Sequence, residues 1–358
     1  MPAGSPEAAD GELDRLRREY EMSRSWRMTR PLRAVGRLRR ALQPGRPPPS
    51  APGSPPQERL DSWLRGFYGD RLDQLDAACA RGSRNEQYAG FRDLDDGLWA
   101  MLLTQQYDGW PHIRACLPTM PEPTLQEIWN GCSGIALANQ STAFYDKLRS
   151  AYERHGERPL ADSTVLDFGC GWGRLTRYLA RDVSLERLYG CDPVQGILDV
   201  CRSSGIPATL AKSTFLPERL PFDERLDLAF AFSVFTHLSE VAHERCLSAL
   251  HESLLPGGIL VVTVRPPAYL EQCESMRPLL VALGCAAPAT LMAPHYLFVP
   301  HAAGPEHPQR GEHGEIDYGE TVITLAYVRE RWAPRFELLE VNLLLGDPYQ
   351  VMLTLRRR

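Results

Sequence analysis

The stretch Val165-Leu166-Asp167-Phe168-Gly169-Cys170-Gly171-Trp172-Gly173-Arg174-Leu175-Thr176 constrains the fold of this chain more than any other. A short apolar strand, Thr164–Leu166, runs into a glycine-rich turn and then into a helical pattern at Leu175–Arg181. Glycines there let the backbone turn tightly and come close to a ligand. The rhythm then repeats. Leu188–Asp192 reads as a second strand and Ile197–Arg202 as a second helix. Leu226–Val234 is a long buried strand, Ser239–Leu255 a helix opened by Ser239, and Gly258–Val264 a further strand. Strands alternating with helices at this spacing make a mostly parallel sheet covered on both faces. Phe336–Leu345 and Gln350–Arg356 look like two more strands joined through Asp347-Pro348, an antiparallel edge to that sheet.

Three regions precede or interrupt this core. Residues 1–56 are an Arg-rich tail and Pro-rich linker, expected to be largely disordered; eleven Arg face two Glu in 15–46, and seven Pro fall in 44–56. A basic helix over 32–42 would suit an anionic membrane surface or a protein partner. Residues 57–160 read as an N-terminal helical region, with Leu60, Trp63, Leu64 and Phe67 at helical spacing and helices expected at Leu94–Tyr107 and Phe144–His155. Within the third domain, 161–358, a loop insertion covers 285–320; its His295–Asp317 portion is rich in Gly, Pro and His and promises little regular structure.

Two cofactor classes compete for the glycine turn. A dinucleotide site needs G-x-G-x-x-G, with pyrophosphate at the helix N-terminus. Here the third glycine comes one residue early and Arg174 takes the last slot. Asp167 stands directly before the turn, where its carboxylate would oppose a pyrophosphate but suits an ammonium and a sulfonium. Asp192, 19 residues beyond Gly173, ends the next strand, where an acid can hold a ribose diol.

On these residues the sequence resembles the class I S-adenosylmethionine-dependent methyltransferases over about 162–265. The resemblance implies a Rossmann-like, doubly wound, seven-stranded α/β sheet of order 3-2-1-4-5-7-6, the last strand antiparallel, with the N-terminal helical region capping the cofactor side. It implies that Asp167, Gly169, Gly171 and Gly173 line the methionyl and ribose pocket and that Asp192 holds the ribose hydroxyls. The family often places an acid near the adenine after the third strand. Here Ser213 stands in that region and would bond the adenine amine instead. His237, after the fourth strand, falls near the expected acceptor and is the candidate general base; the alternative is a ring that bonds loop backbone. Arg265, at the end of the fifth strand, would suit a carboxylate or phosphate, or sit at an exposed rim. Leu255-Pro256-Gly257-Gly258 looks like the family's turn before that strand. The family's Asn/Asp-Pro-Pro-Tyr motif for amide-type nitrogen acceptors is missing.

Short stretches at 25–33, 318–321, 327–332 and 347–350 are similar to segments of bacterial methyltransferases and glycosyltransferases that act on surface polysaccharides. They imply a sugar or glycan hydroxyl as acceptor. The alternatives are a natural-product or quinone-like small molecule, or a non-catalytic cofactor-binding scaffold for glycan enzymes. A glycosyltransferase partner or the anionic inner membrane face would engage 15–46.

Composition narrows the rest. The chain has 358 residues, 43 % hydrophobic and 24 % charged, values of an ordinary globular protein. A formal charge of -5 and no aromatic-interleaved basic groove argue against a nucleic-acid enzyme. Nine scattered Cys without a C-x-x-C pair make neither a disulfide framework nor a structural zinc site. His295, His301, His307 and His313 recur every six residues in a Gly/Pro-rich loop, a spacing that forces no convergence, so no metal site is expected. With no apolar run of membrane-spanning length and no apolar leader or cleavage signal, the expected location is the cytoplasm, with peripheral contact at the inner membrane face.

Overall fold

A computed structural model describes residues 57–284, 287–301 and 317–358. The Arg-rich tail and linker, His307 and His313 lie outside the described residues. The chain divides into two compact units between Ala138 and Asn139.

The described part of the first unit is helical. Helix α1 (Gln57–Cys79) is followed by α2 (Arg84–Ala89), α3 (Asp96–Thr104), α4 (Pro111–Cys116) and α5 (Pro123–Asn130). Ser83 opens α2 with a reciprocal Ser–Glu cap, and Asp95 opens α3 by accepting from the Leu98 amide. α1 binds the later helices through its acids. The Trp110 indole donates to Asp73 at 2.7 Å, and Asp76 takes the His112 and Ile113 amides at the start of α4.

Helix α6 (Gly134–His155) starts ten residues before the expected Phe144, because Leu137 and Ala138 already continue its buried face. Beyond it, the second unit holds a seven-stranded sheet. Its strands are β1 (Val165–Phe168), β2 (Leu188–Asp192), β3 (Thr209–Lys212), β4 (Leu226–Ala231), β5 (Leu254–Val264), and, after a separate strand pair β6 and β7, β8 (Phe336–Leu343) and β9 (Val351–Arg357). The order is β3-β2-β1-β4-β5-β9-β8. In sheet-strand count this is 3-2-1-4-5-7-6. β1 to β5 pair in parallel, and β9 enters antiparallel between β5 and β8. Every residue of β1, β2 and β4 is buried, as a sheet covered on both faces requires; β3 and β8, at the two edges, are partly exposed.

Helix α7 (Thr176–Leu179) is four residues long, shorter than the expected Leu175–Arg181. α8 (Gln195–Ser203) and α9 (Glu240–Ser253) close the parallel crossovers, and Ser239 caps α9 by accepting from the Ala242 amide.

One expectation needs correcting. The described part of the 285–320 insertion is more ordered than its composition suggests. β6 (Tyr296–Pro300) and β7 (Gly319–Ile323) pair antiparallel as a second sheet. The physical reason is local. Tyr296–Pro300 is an apolar run, and the Gly/Pro/His-rich residues fall between the two strands rather than within them. β7 is buried throughout and hydrogen-bonds the β4–α9 connection: the Gly319 amide donates to the His237 carbonyl at 2.8 Å and the Thr321 amide to Thr236 at 3.0 Å. No described helix is long and apolar enough to cross a membrane.

Candidate active site

The site lies beyond the carboxyl ends of the parallel strands, where open α/β sheets bind their ligands. β1 delivers Asp167 and then the turn. Gly169, Gly171 and Gly173 all have positive φ, 76°, 54° and 77°. At two of them only glycine fits. A Cβ on Gly169 would overlap Val234, and one on Gly173 would sit 2.6 Å from Ile206 Cγ1. The turn is pinned to β2 by the Gly169 and Cys170 amides, which donate to the Cys191 carbonyl at 2.8 and 3.0 Å. The Cys201 thiol donates to the Gly171 carbonyl at 3.0 Å.

Two buried carboxyls face this turn. Thr176 donates its hydroxyl to Asp167 Oδ2 at 2.6 Å. Burial pushes Asp167 up to about 7, against the Thr176 hydrogen bond and nearby Arg174, while Asp192 adds to the rise. The two oxygens of Asp192 accept separately, Oδ2 from the Gly171 amide at 3.1 Å and Oδ1 from the Val194 amide at 2.9 Å. Each oxygen keeps a second lone pair, which matches a pair of vicinal hydroxyls. Burial pushes Asp192 up to about 6, opposed by those two backbone hydrogen bonds. Ser213 is buried at the end of β3, and its amide donates to the Asp192 carbonyl at 3.2 Å. The structure thus gathers the six expected cofactor residues along the ends of β1, β2 and β3.

His237 stands apart from them, after β4. Its Nδ1 lies 2.7 Å from the Gly319 carbonyl, so Nδ1–H donates there and Nε2 holds the lone pair. Arg265 Nη2 lies 3.3 Å from that Nε2. The ring stacks on Tyr318 at 5.1 Å and 18°. Burial, and then Arg265, push its pKa down to about 3, so the imidazole is neutral at physiological pH.

Arg265 is buried rather than a rim residue. It pairs with Glu320, donates to the Thr236 carbonyl at 3.0 Å, and lies 4.2 Å from the Tyr269 ring centroid. Glu320 also accepts from the Tyr269 hydroxyl at 2.9 Å and faces His301 Nε2 at 3.0 Å. Burial opposes its ionisation, but Arg265 together with the neighbouring histidines outweighs it and holds the carboxyl far below the usual range. Donor atoms of His237, His301 and Glu320 fall within 4.8 Å of one another, a grouping the spacing of the histidines does not reveal. The guanidinium of Arg265 already supplies a cation to that group.

A third feature adjoins these. Ser233, just past β4, has φ 60°, the one positive φ outside glycine among the described residues. Gln350 holds its hydroxyl at 2.9 Å, and Thr263 takes its amide at 2.8 Å. Sequence reasoning missed Ser233, Gln350, Glu320 and Tyr269. The one available signal was Glu320 itself, an acid leading into the apolar run of β7.

Residues 165–258 match the protein family described as "Methyltransferase domain". Turn, acids and strand order agree with that match. The chain carries a class I S-adenosylmethionine-dependent methyltransferase domain. S-Adenosylmethionine is its cofactor, and the two acids and the glycine cradle fit that molecule's cationic end and ribose. Among relatives, the trans-aconitate 2-methyltransferase of Delftia acidovorans is 28 % identical over 205 residues, 54 % of this chain and 73 % of the relative. The ubiquinone biosynthesis O-methyltransferase of Azorhizobium caulinodans is 32 % identical over 110 residues, 30 % of this chain and 42 % of the relative. The chain therefore spans less than half the length of that second relative. A solved S-adenosylmethionine-dependent methyltransferase from Mesorhizobium loti is 18 % identical, with 60 % of this chain and 98 % of that one covered and a TM-score of 0.38.

Proposed function

We propose that this methyltransferase moves the methyl of S-adenosylmethionine to an oxygen of a small-molecule acceptor. The observation that carries the reading is the pair of buried acids, Asp167 and Asp192, set around a turn in which Gly169 and Gly173 leave no room for a side chain. When bound, the cofactor supplies an electrophilic methyl on a sulfonium whose departure leaves a neutral thioether. Asp167 and the turn backbone would hold its methionyl end, Asp192 its ribose, and Ser213 its adenine amine.

On the acceptor side His237 is the candidate base. Its occupied nitrogens and low pKa support a different use: a neutral ring that fixes the β4–α9 connection against β7. The hydroxyl proton would then leave to solvent, since attack on a sulfonium needs no strong base. The relatives' names favour a small molecule over a glycan, and one of them, trans-aconitate, is a carboxylate. A sugar or glycan hydroxyl stays within the same chemistry as the second reading, resting on the short stretches noted above. The proposed location is the cytoplasm. For 15–46 the proposed partner is an anionic membrane surface or a glycosyltransferase at the inner membrane face.

The test is transfer of isotope-labelled methyl from S-adenosylmethionine to separated pools of small hydroxyl compounds and of nucleotide sugars. Label in the first pool supports the reading; label confined to the second favours the sugar acceptor. His237→Gln should keep most of the turnover, whereas a loss of about 10²-fold or more would restore His237 as base.

A further inference from the structure

We propose that the Arg265–Glu320 ion pair closes the acceptor side to anionic acceptors, so that the acceptor is an uncharged hydroxyl compound. This rests on the methyl-transfer reading above and names its substrate class. Arg265 follows β5 and His237 follows β4, which lies beside β1 and its cofactor turn; all three groups share the carboxyl edge of the sheet. An arginine at that place is the natural receptor for a carboxylate or phosphate, through two parallel donors. Here three of its five N–H groups are already engaged. Nη1 serves Glu320 and the Thr236 carbonyl, Nη2 points at His237 Nε2, and the guanidinium lies against Tyr269. Glu320 is itself 3 % exposed and tied by the Tyr269 hydroxyl and His301, so it is not a loose partner that an incoming anion would displace.

The charge of the whole edge points the same way. Among the described residues, Asp167, Asp192, Glu320 and Asp347 supply carboxyls there, against Arg174, Arg265 and, at the end of β3, Lys212. Arg174 is turned to Gln140 Oε1 at 2.6 Å and to the Phe232 ring at 4.5 Å, and Gln140 in turn binds Asp347 at 2.8 Å. An edge with more acids than bases favours the one cation the reaction brings, the sulfonium. It repels a carboxylate beside it. His237, neutral in this setting, adds no positive charge.

Two measurements on the full chain loaded with S-adenosylhomocysteine or S-adenosylmethionine test this. In the first, a metabolite extract is separated at neutral pH into uncharged and anionic pools, and each is offered labelled cofactor. Label in the uncharged pool that survives base, as a methyl ether does, is the expected result. Label in the anionic pool, or label released by base as methanol from an ester, overturns the proposal. In the second, the melting temperature is followed with acetate and with acetamide at matched ionic strength. Acetate should leave the wild type unmoved and raise Glu320→Gln by several degrees, because the substitution frees Arg265 to bind a carboxylate. Equal stabilisation of both proteins, or of neither, overturns the proposal. Should Glu320→Gln not fold, Glu320→Asp, which draws the charge back from the guanidinium, takes its place with the same expected response. Absence of transfer to any pool, with cofactor bound, counts against the methyl-transfer reading; the acetate result then decides on the ion pair by itself.

Discussion

Asp167 and Asp192 would set the pH behaviour of the proposed cofactor site. Their native pKa values, about 7 and about 6, lie above the unfolded value of about 4. The native state therefore holds more protons than the unfolded state between those limits, and this contribution to stability falls as pH rises through the window. A cationic cofactor reverses the preference, since it favours the ionised pair. S-Adenosylmethionine should bind about tenfold or more tighter at pH 7.5 than at pH 5.5. Calorimetric titrations at both pH values check this, and a flat profile would contradict it. His243 behaves in the opposite sense. Its ring is fully buried among Phe235, Tyr296 and Trp332, and neither nitrogen has a hydrogen-bond partner among the described residues. Burial pushes its pKa down to about 3, so the unfolded chain takes up the proton first, and stability is lost as pH falls below about 6.5. At pH 5.5 that loss is about 1.4 kcal/mol relative to neutral pH. Denaturant melts of His243→Leu should show an acid slope shallower by this amount; an unchanged slope would place the acid sensitivity elsewhere.

At the scale of elements, the β4–α9 connection is the joint on which the proposed acceptor side depends. Ser239 caps α9, accepting from the Ala242 amide at 3.2 Å while donating to Asp317 at 2.6 Å, just ahead of β7. Ser239→Ala removes both bonds and should cost about 1 kcal/mol or somewhat more. Urea unfolding measures it, and a change within a few tenths would mean that solvent replaces the cap. This joint also marks how far the sequence can be read. β3, a partly exposed edge strand, is not legible. β1, β2, β4 and β5 are, because strands buried on both faces appear as short, mostly apolar runs, and so is the turn after β1, because glycine readily takes its positive φ angles. Ser239 is legible for the same local reason. The contacts of Arg265 are not. Glu320 lies 55 residues away on a strand that follows a Gly/Pro-rich stretch, and nothing local couples the two. His301 and His237 likewise meet only through the β6–β7 pairing, whereas the even spacing of the loop histidines carries no information about it. The start of α6 is not legible because Gly134, a weak helix former, opens it.

At the scale of the whole molecule, a unit whose described part is helical and a seven-stranded sheet share one chain, and every residue proposed above to hold the cofactor belongs to the second unit. The central claim is that this unit's glycine turn serves S-adenosylmethionine and not a dinucleotide. Asp167 ahead of the turn and Arg174 in the place of a final glycine are the residues that separate the two. Isothermal titration of the purified full chain with S-adenosylhomocysteine, and separately with NAD, tests the claim most directly. The expected result is one site for S-adenosylhomocysteine in the micromolar range, no heat from NAD, and a loss of about 1–3 kcal/mol in Asp192→Ala through the missing charged hydrogen bonds. Saturable binding of NAD, or undiminished S-adenosylhomocysteine binding in Asp192→Ala, would contradict it.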